Sequence, residues 1–370
     1  MRYAKGLSAV IFGLAASANT FAGNVSINGT IPAQVVIHPS SQPSQPNGPL
    51  LTKEILFERV ILSPAAHEYL VKQIENQLRT SNLTASATSL PPAALVGMNG
   101  VPVLDQGQHG TCVTFAVTGA LDAVADDAKT DASYDRYSEL CSLELGSTLE
   151  QQNSDYPSGW DGSWGTLVLD QISKHGLITK KYQQTQGCAG VREYPQWNEA
   201  DHGKPMSLES FDGNSEKIVP PLSYKIIMKP DDAFSDRVNP DEVLTKIKTA
   251  LADKHRVTFG TLLDVKYGIN GAVGTYKMPF DTWVLTAQIA KDAKHPENIE
   301  AGHEMIIIGY DDNAQVKVQG ESHKGVLTLR NSWGNYAGDH GNYYMTYDHF
   351  KALVLEVAEY IPADANTMKK

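Results

Sequence analysis

Asp105-Gln-Gly-Gln-His-Gly-Thr-Cys-Val-Thr-Phe-Ala116 is the stretch on which the fold turns. Its first half, through Gly110, has the composition of a loop. Its second half opens a helix. Val113, Ala116, Val117, Ala120, Leu121 and Val124 recur at helical spacing and share one face. Cys112 therefore stands in the first turn of a helix that the core buries. Only the thiolate of cysteine is a useful nucleophile, and a free thiol titrates near about 8.5. A helix N-terminus favours negative charge, and a protonated imidazole alongside would favour it further. The expected resting state is a thiolate paired with an imidazolium.

Working outward, the partner must come from eleven histidines. His303 precedes the apolar run Met305-Ile-Ile-Ile-Gly-Tyr310, and Asn331 ends another in Leu329-Arg-Asn-Ser-Trp-Gly334. Both runs have strand character, and neighbouring strands would bring the two side chains together. The amide oxygen of Asn331 can accept from the far ring nitrogen and fix the tautomer. Trp333 can cover that bond and keep water from it. The regions are helical early and β-rich after Gly302, which predicts a two-lobed α+β domain with a cleft between lobes.

Three segments together resemble the papain-like cysteine peptidases. Asp105 to Ala116 is similar to their nucleophile segment, and Gly302-His-Glu-Met-Ile-Ile-Ile-Gly-Tyr310 to their histidine strand. Arg330-Asn-Ser-Trp-Gly334, followed by Gly341-Asn-Tyr-Tyr344, is similar to their asparagine strand. The order Gln106, Cys112, His303, Asn331 is also the family's. The resemblance implies hydrolysis of peptide bonds, a helical lobe and a barrel-like lobe. It implies that Gln106 lends its side-chain amide to an oxyanion hole, with the backbone N–H of Cys112 as second donor. It places Asp161 and Gly162, in Gly159-Trp-Asp-Gly-Ser163, where backbone lines the substrate cleft.

The chain departs from the family at several positions. His109 stands where a cysteine is usual and is expected to face solvent from its loop. Val113 replaces an aromatic. Glu304 replaces a small residue after the histidine and puts a carboxylate beside the cleft, with consequences for subsite preference or pH optimum. The interval from Cys112 to His303 exceeds the roughly 130–150 residues common in such enzymes. Three cysteines imply one bridge and one free thiol, without fixing the pairing. If Cys112 is the nucleophile, Cys141 and Cys188 remain to pair, and both fall near a disulfide of the family.

The N-terminal part has its own organisation. Arg2, Lys5, the short apolar run Leu7 to Ala18 and small residues thereafter have the form of an export signal over 1–22. Residues 23–95 are expected to form a hairpin-plus-helix pro-segment, with Asn28-Gly29 as a turn and a helix capped by Ser63 and opened by Pro64. The peptidase domain then covers 96–370. The pro-segment is expected to act as an intramolecular inhibitor of a secreted zymogen whose other partner is a peptide or protein substrate. A second possibility is a catalytically inactive binding or adhesion protein on the same scaffold.

Net charge −11, with no Lys/Arg cluster, argues against nucleic acid as a partner. No later segment is apolar enough for a membrane span once the signal is removed. No metal or other cofactor is expected. His303-Glu-Met-Ile-Ile307 lacks the second histidine of a helical zinc motif, and Asp311-Asp-Asn313 lacks the later ligands of a calcium loop.

Overall fold

The computed structural model describes residues 23–38, 50–80, 89–127, 135–197, 203–216, 223–267 and 270–362. The expected export signal lies outside the described residues. The chain opens with strands β1 (Val25–Val36) and β2 (Thr52–Leu62), helix α1 (Pro64–Thr80) and short strand β3 (Ala93–Leu95). Five helices follow: α2 (Cys112–Asp127), α3 (Glu139–Gln152), α4 (Gly165–His175), α5 (Lys180–Gln186) and α6 (Leu208–Asn214). The remainder mixes both types. In order it holds β4 (Ser223–Met228), α7 (Pro240–Ala252), β5 (Arg256–Leu263), β6 (Thr282–Trp283) and α8 (Ala287–Asp292). It ends with β7 (Ala301–Val318), β8 (Glu321–Arg330), β9 (Asn342–Thr346), α9 (Tyr347–Leu353) and β10 (Val354–Ile361). The fold is α+β.

One sheet organises the β lobe, in the order β4-β10-β5-β7-β8-β9-β6. β7 is its spine, and the pleat divides its side chains between two cores. Ala301, Met305 and Ile307 join the cluster containing Phe57, Trp283, Trp333 and the α7 residues Val243 and Ile247. Ile306 and Ile308 join the opposite cluster, with Val113, Val117 and Leu121 of α2. α2 is buried on all sides through Ala125, as its apolar composition requires. Its polar positions are satisfied internally: Thr118 Oγ1 donates to Thr114 O at 2.7 Å, and Asp122 Oδ1 accepts from Tyr137 N at 3.0 Å.

The N-terminal elements differ from expectation in two ways. Asn28-Gly29 is not a turn. β1 runs through it, and the register passes from Ile27↔Val60 to Thr30↔Glu58, so two residues oppose Arg59. This is a β-bulge, and Gly29 at φ 74° supplies the left-handed conformation it needs. The hairpin is instead β1 against β2. The expected boundary near residue 95 falls within β3, whose Ala93–Leu95 pair with Asp311–Gly309 of β7. α1 has the expected cap, Ser63 Oγ accepting from Ala66 N at 3.2 Å. It packs Leu70 and Ile74 against Val60, Leu353 and Leu355. Between α5 and α7 the chain also forms α6 and β4.

Candidate active site

α2 begins at Cys112, with Thr111 O accepting from Phe115 N at 3.1 Å. The loop ahead of it is tied to the loop after β8. Gln106 N donates to Ser332 O at 2.8 Å, and Gly334 N to Leu104 O at 2.9 Å. Two chain segments more than two hundred residues apart are thereby held in one geometry. Ser332 Oγ donates to Gln106 Oε1 at 2.7 Å, which fixes which end of the Gln106 amide carries its hydrogens. Nε2 then donates to His109 O at 2.9 Å and to Leu56 O of β2 at 3.4 Å.

β7 and β8 bring His303 and Asn331 together. His303 Nε2 and Asn331 Oδ1 are 2.9 Å apart. The same oxygen accepts from Ser332 N at 2.7 Å, so the amide orientation is set by a backbone donor. Nε2 must therefore carry the hydrogen, and Nδ1 is left as a bare acceptor with no protein partner. Trp333 stacks on the His303 ring, 4.7 Å between centroids and 22° between planes, and both residues are buried. The sulfur of Cys112 receives the amides of Val113 and of Glu304, the residue next to His303. Cys112 is thus held against the residue that follows His303, and Gln106 against the residue that follows Asn331.

The cleft is covered. Phe57 of β2 meets His303 edge-on at 5.3 Å and Trp333 at 5.5 Å. Glu58 pairs with Gly302 across the β2–β7 ladder, and its Oε2 accepts from Ser163 N at 3.2 Å. Gly162, at φ 125°, lies directly under the hairpin: a Cβ there would stand 2.7 Å from that of Glu58 and 2.9 Å from Ile27 Cγ2. Asp161 beside it is exposed, while its backbone lies against Gly110.

This cover reverses the expected charge state. Burial foremost, then the Glu58 carboxyl, pushes the Cys112 thiol well up, against the pull of the two amides. Burial pushes His303 down to about 4, although its bond to Asn331 works the other way. Both shifts favour the neutral forms of Cys112 and His303 over the charged ones. His109 also differs from expectation. It is buried, edge-on to Trp160 at 5.1 Å and to Tyr194 at 5.8 Å.

Cys141 and Cys188 form a disulfide joining α3 to the turn after α5, and Cys112 is the free thiol. Glu304 is buried on the face of β7 that meets the helical lobe, beside Glu356 of β10. Sequence reading missed Leu56, Phe57, Glu58 and Glu356. Glu58 had a signal: a carboxylate inside the apolar run Ile55 to Leu62. Among the described residues no group of His, Cys, Asp or Glu is arranged to hold a metal ion.

No family model matches the sequence, and no curated protein does either. Solved structures are similar in fold. Xylellain, a cysteine protease from Xylella fastidiosa, is 20% identical, with a TM-score of 0.49 over 75% of this chain and 88% of that one. The digestive procathepsin L 3 of Tenebrio molitor larval midgut is 17% identical, with a TM-score of 0.45 over 79% of each chain. The proform of the Amb a 11 cysteine protease, a ragweed pollen allergen, is 17% identical, with a TM-score of 0.45 over 76% of this chain and 61% of that one.

Proposed function

We propose that this chain is a papain-like cysteine peptidase, exported through its N-terminal signal and held latent by residues 23–80 in its own cleft. The observation that supports this reading is the His303–Asn331 bond, which leaves Nδ1 of a buried imidazole bare, next in sequence to the Glu304 amide that reaches the sulfur of the free cysteine Cys112. Such a nitrogen is an acceptor waiting for a proton, and the thiol of Cys112 has one to give.

With the hairpin withdrawn, water re-enters the cleft and the desolvation that keeps both groups neutral is relieved. The proton passes from sulfur to Nδ1, and the thiolate is supported by the Val113 and Glu304 amides and by the start of α2. Sulfur then attacks the carbonyl carbon of a peptide bond. The developing oxyanion takes hydrogen bonds from Gln106 Nε2 and the Cys112 amide. The imidazolium protonates the departing amine, leaving a thioester on Cys112. Neutral His303 next accepts a proton from water, whose oxygen displaces the sulfur and releases the acid. Asn331 holds the ring in register throughout. Trp333 shields the bond that does so.

The test uses the full chain, folded intact and then nicked at an engineered site within residues 81–88. A thiol-directed epoxide should label Cys112, and fluorogenic peptides should be turned over. Both should vanish in Cys112→Ala, and the intact chain should show little of either. Failure of the nicked protein to label or to cleave anything between pH 4 and 8 would refute a peptidase. One observation favours a permanently covered binding protein instead: Phe57 and Ile55 belong to the main β-lobe core. A hairpin that never dissociates after nicking would support that second reading.

A further inference from the structure

Gln106 and Cys112 stand at the two ends of one loop, which carries both oxyanion donors of the proposed mechanism. The docked hairpin braces that loop from one side. Lys53 Nζ donates to Asp105 Oδ1 at 2.8 Å, Gln108 Nε2 to Glu54 Oε1 at 3.4 Å, and Gln106 Nε2 to Leu56 O at 3.4 Å. All three contacts leave with the hairpin. His109, standing where a cysteine is usual, offers no covalent tie in their place, and the one disulfide lies elsewhere, between Cys141 and Cys188. After release the loop is held by hydrogen bonds and packing alone.

A second brace stays in place. The hydroxyl of Tyr194, beyond Cys188 in the helical lobe, lies 2.9 Å from Gln106 O and 2.9 Å from Thr111 Oγ1. A carbonyl oxygen only accepts, so the single hydroxyl hydrogen of Tyr194 goes to Gln106 O, and Thr111 donates to the tyrosine oxygen. One atom thereby joins the two ends of the loop: Gln106 on one side, and on the other the residue whose peptide bond carries the Cys112 amide. The ring is held in turn. It stacks on Trp160, 6.0 Å between centroids and 14° between planes, and meets Phe115 of α2 edge-on at 4.9 Å and His109 at 5.8 Å. His109 O is the acceptor that orients the Gln106 amide. Two residues on, Gln196 O accepts from Gln108 N at 2.9 Å. A Cβ on Gly107 would stand 2.3 Å from that oxygen, so glycine lets the two segments lie this close.

We propose that Tyr194 is a positioning residue for the oxyanion hole: by joining Gln106 O to Thr111 Oγ1, its hydroxyl keeps Gln106 Nε2 and the Cys112 amide at a fixed separation once the hairpin has left. This rests on the peptidase reading above. Donors stabilise a developing charge in full only when they are already in place as it forms. A loop free to shift would have to be reordered at each turnover. The role of Tyr194 runs through the loop, so it bears on the step that forms an oxyanion and not on the nucleophilicity of the sulfur.

The experiment compares the nicked parent with nicked Tyr194→Phe, which keeps the ring and removes the hydroxyl. Active sites are counted with the epoxide. For a fluorogenic peptide kcat should fall about ten-fold, less than for loss of a donor itself, with KM within about two-fold. Iodoacetamide should alkylate Cys112 at the parent rate and with the parent pH profile, because alkylation forms no oxyanion. In a Gln106→Ala chain the same substitution should lower kcat by less than about three-fold, because the group it positions is gone. Thr111→Val removes the other half of the link and should reproduce the split; it decides the matter if Tyr194→Phe does not fold. An unchanged kcat, alkylation that falls in step with kcat, or a loss undiminished in Gln106→Ala would each overturn the assignment of Tyr194 and leave the peptidase reading standing. A nicked parent that neither labels nor cleaves would remove both.

Discussion

The carbonyl oxygen of Leu56 lies 3.4 Å from Nε2 of Gln106. The hairpin therefore offers a backbone carbonyl to the donor that the proposed mechanism reserves for an oxyanion. On either side of that contact, Phe57 packs edge-on against the imidazole and Glu58 accepts from Ser163 N. Latency on this view is occupation: the hairpin strand uses the donors and surfaces a substrate would use.

Gln106→Ala should consequently act on the chemical step. In the nicked protein kcat should fall about 10²–10³-fold with a smaller change in KM, as for the loss of one oxyanion donor. Labelling of Cys112 by a small alkylating agent should persist, because sulfur and imidazole are untouched. Loss of labelling in parallel with kcat would mean that the substitution collapses the site, through its bonds to Ser332 and His109, and that the oxyanion role is unsupported.

The cover and the charge state are linked through Cys112. Its thiol is pushed up chiefly by burial and next by Glu58, so the thiolate fraction at pH 7 is very small while the hairpin is docked. Iodoacetamide should modify the intact chain slowly at pH 7, with a rate still climbing above pH 9. Nicking and removal of residues 23–80 should shift the midpoint of that profile down by more than one pH unit. An identical profile before and after would show that the hairpin does not control the sulfur.

Phe57 is fully buried, edge-on to both His303 and Trp333, and belongs to the largest core cluster. Phe57→Ala should cost about 3–5 kcal/mol by lost burial and cavity formation. Because the cavity opens at the imidazole, the same variant should raise the activity of the un-nicked chain. A lower melting temperature with unchanged latency would place Phe57 in the core only.

The site was more legible in the sequence than the scaffold around it. Gln106, Cys112, His303 and Asn331 stand out as candidates because their side-chain types carry chemistry and lie in recognisable local runs. α3 escaped because it has no apolar stripe. Glu139, Ser142, Glu144 and Thr148 are buried beside Leu140 and Leu143, and the helix is held on all sides. The bulge at Gly29 escaped because Asn-Gly suits a turn and a left-handed bulge residue equally, and only the partner strand decides between them. Glu356 escaped for a different reason. Its role depends on β10 lying beside β5, next to α4, a relationship between distant segments that no local pattern encodes.

The disulfide between Cys141 and Cys188 closes a loop with a sequence separation of 47. Chain entropy alone makes such a bridge worth about 4 kcal/mol. Its surroundings are the helical-lobe cluster of Leu140, Leu143, Trp160 and Phe211, outside the β lobe that carries His303. Cys141→Ala with Cys188→Ala should lower the melting temperature by several degrees and leave the pH profile of Cys112 alkylation unchanged. A displaced profile would mean that the bridge reaches the nucleophile.

The last prediction concerns pH and the hairpin's grip. Burial foremost pushes Glu58 up to about 8, opposed by its bond from Ser163 N and reinforced by Glu356. Released, the carboxyl returns to its ordinary value near 4.5. The docked state thus binds the proton more tightly than the undocked one. Docking is at full strength below about pH 4.5 and is lost as pH rises through about 8, by up to about 1.4 kcal/mol per unit. Burial raises Glu304 and Glu356 too, so they add to the same trend. Digestion of β1 and β2 in the intact chain by an added protease should therefore accelerate from pH 6 to pH 9, after correction for the protease's own profile. Glu58→Gln should flatten the dependence. Faster digestion towards acid pH, or an unchanged slope in Glu58→Gln, would remove Glu58 as the group that governs release.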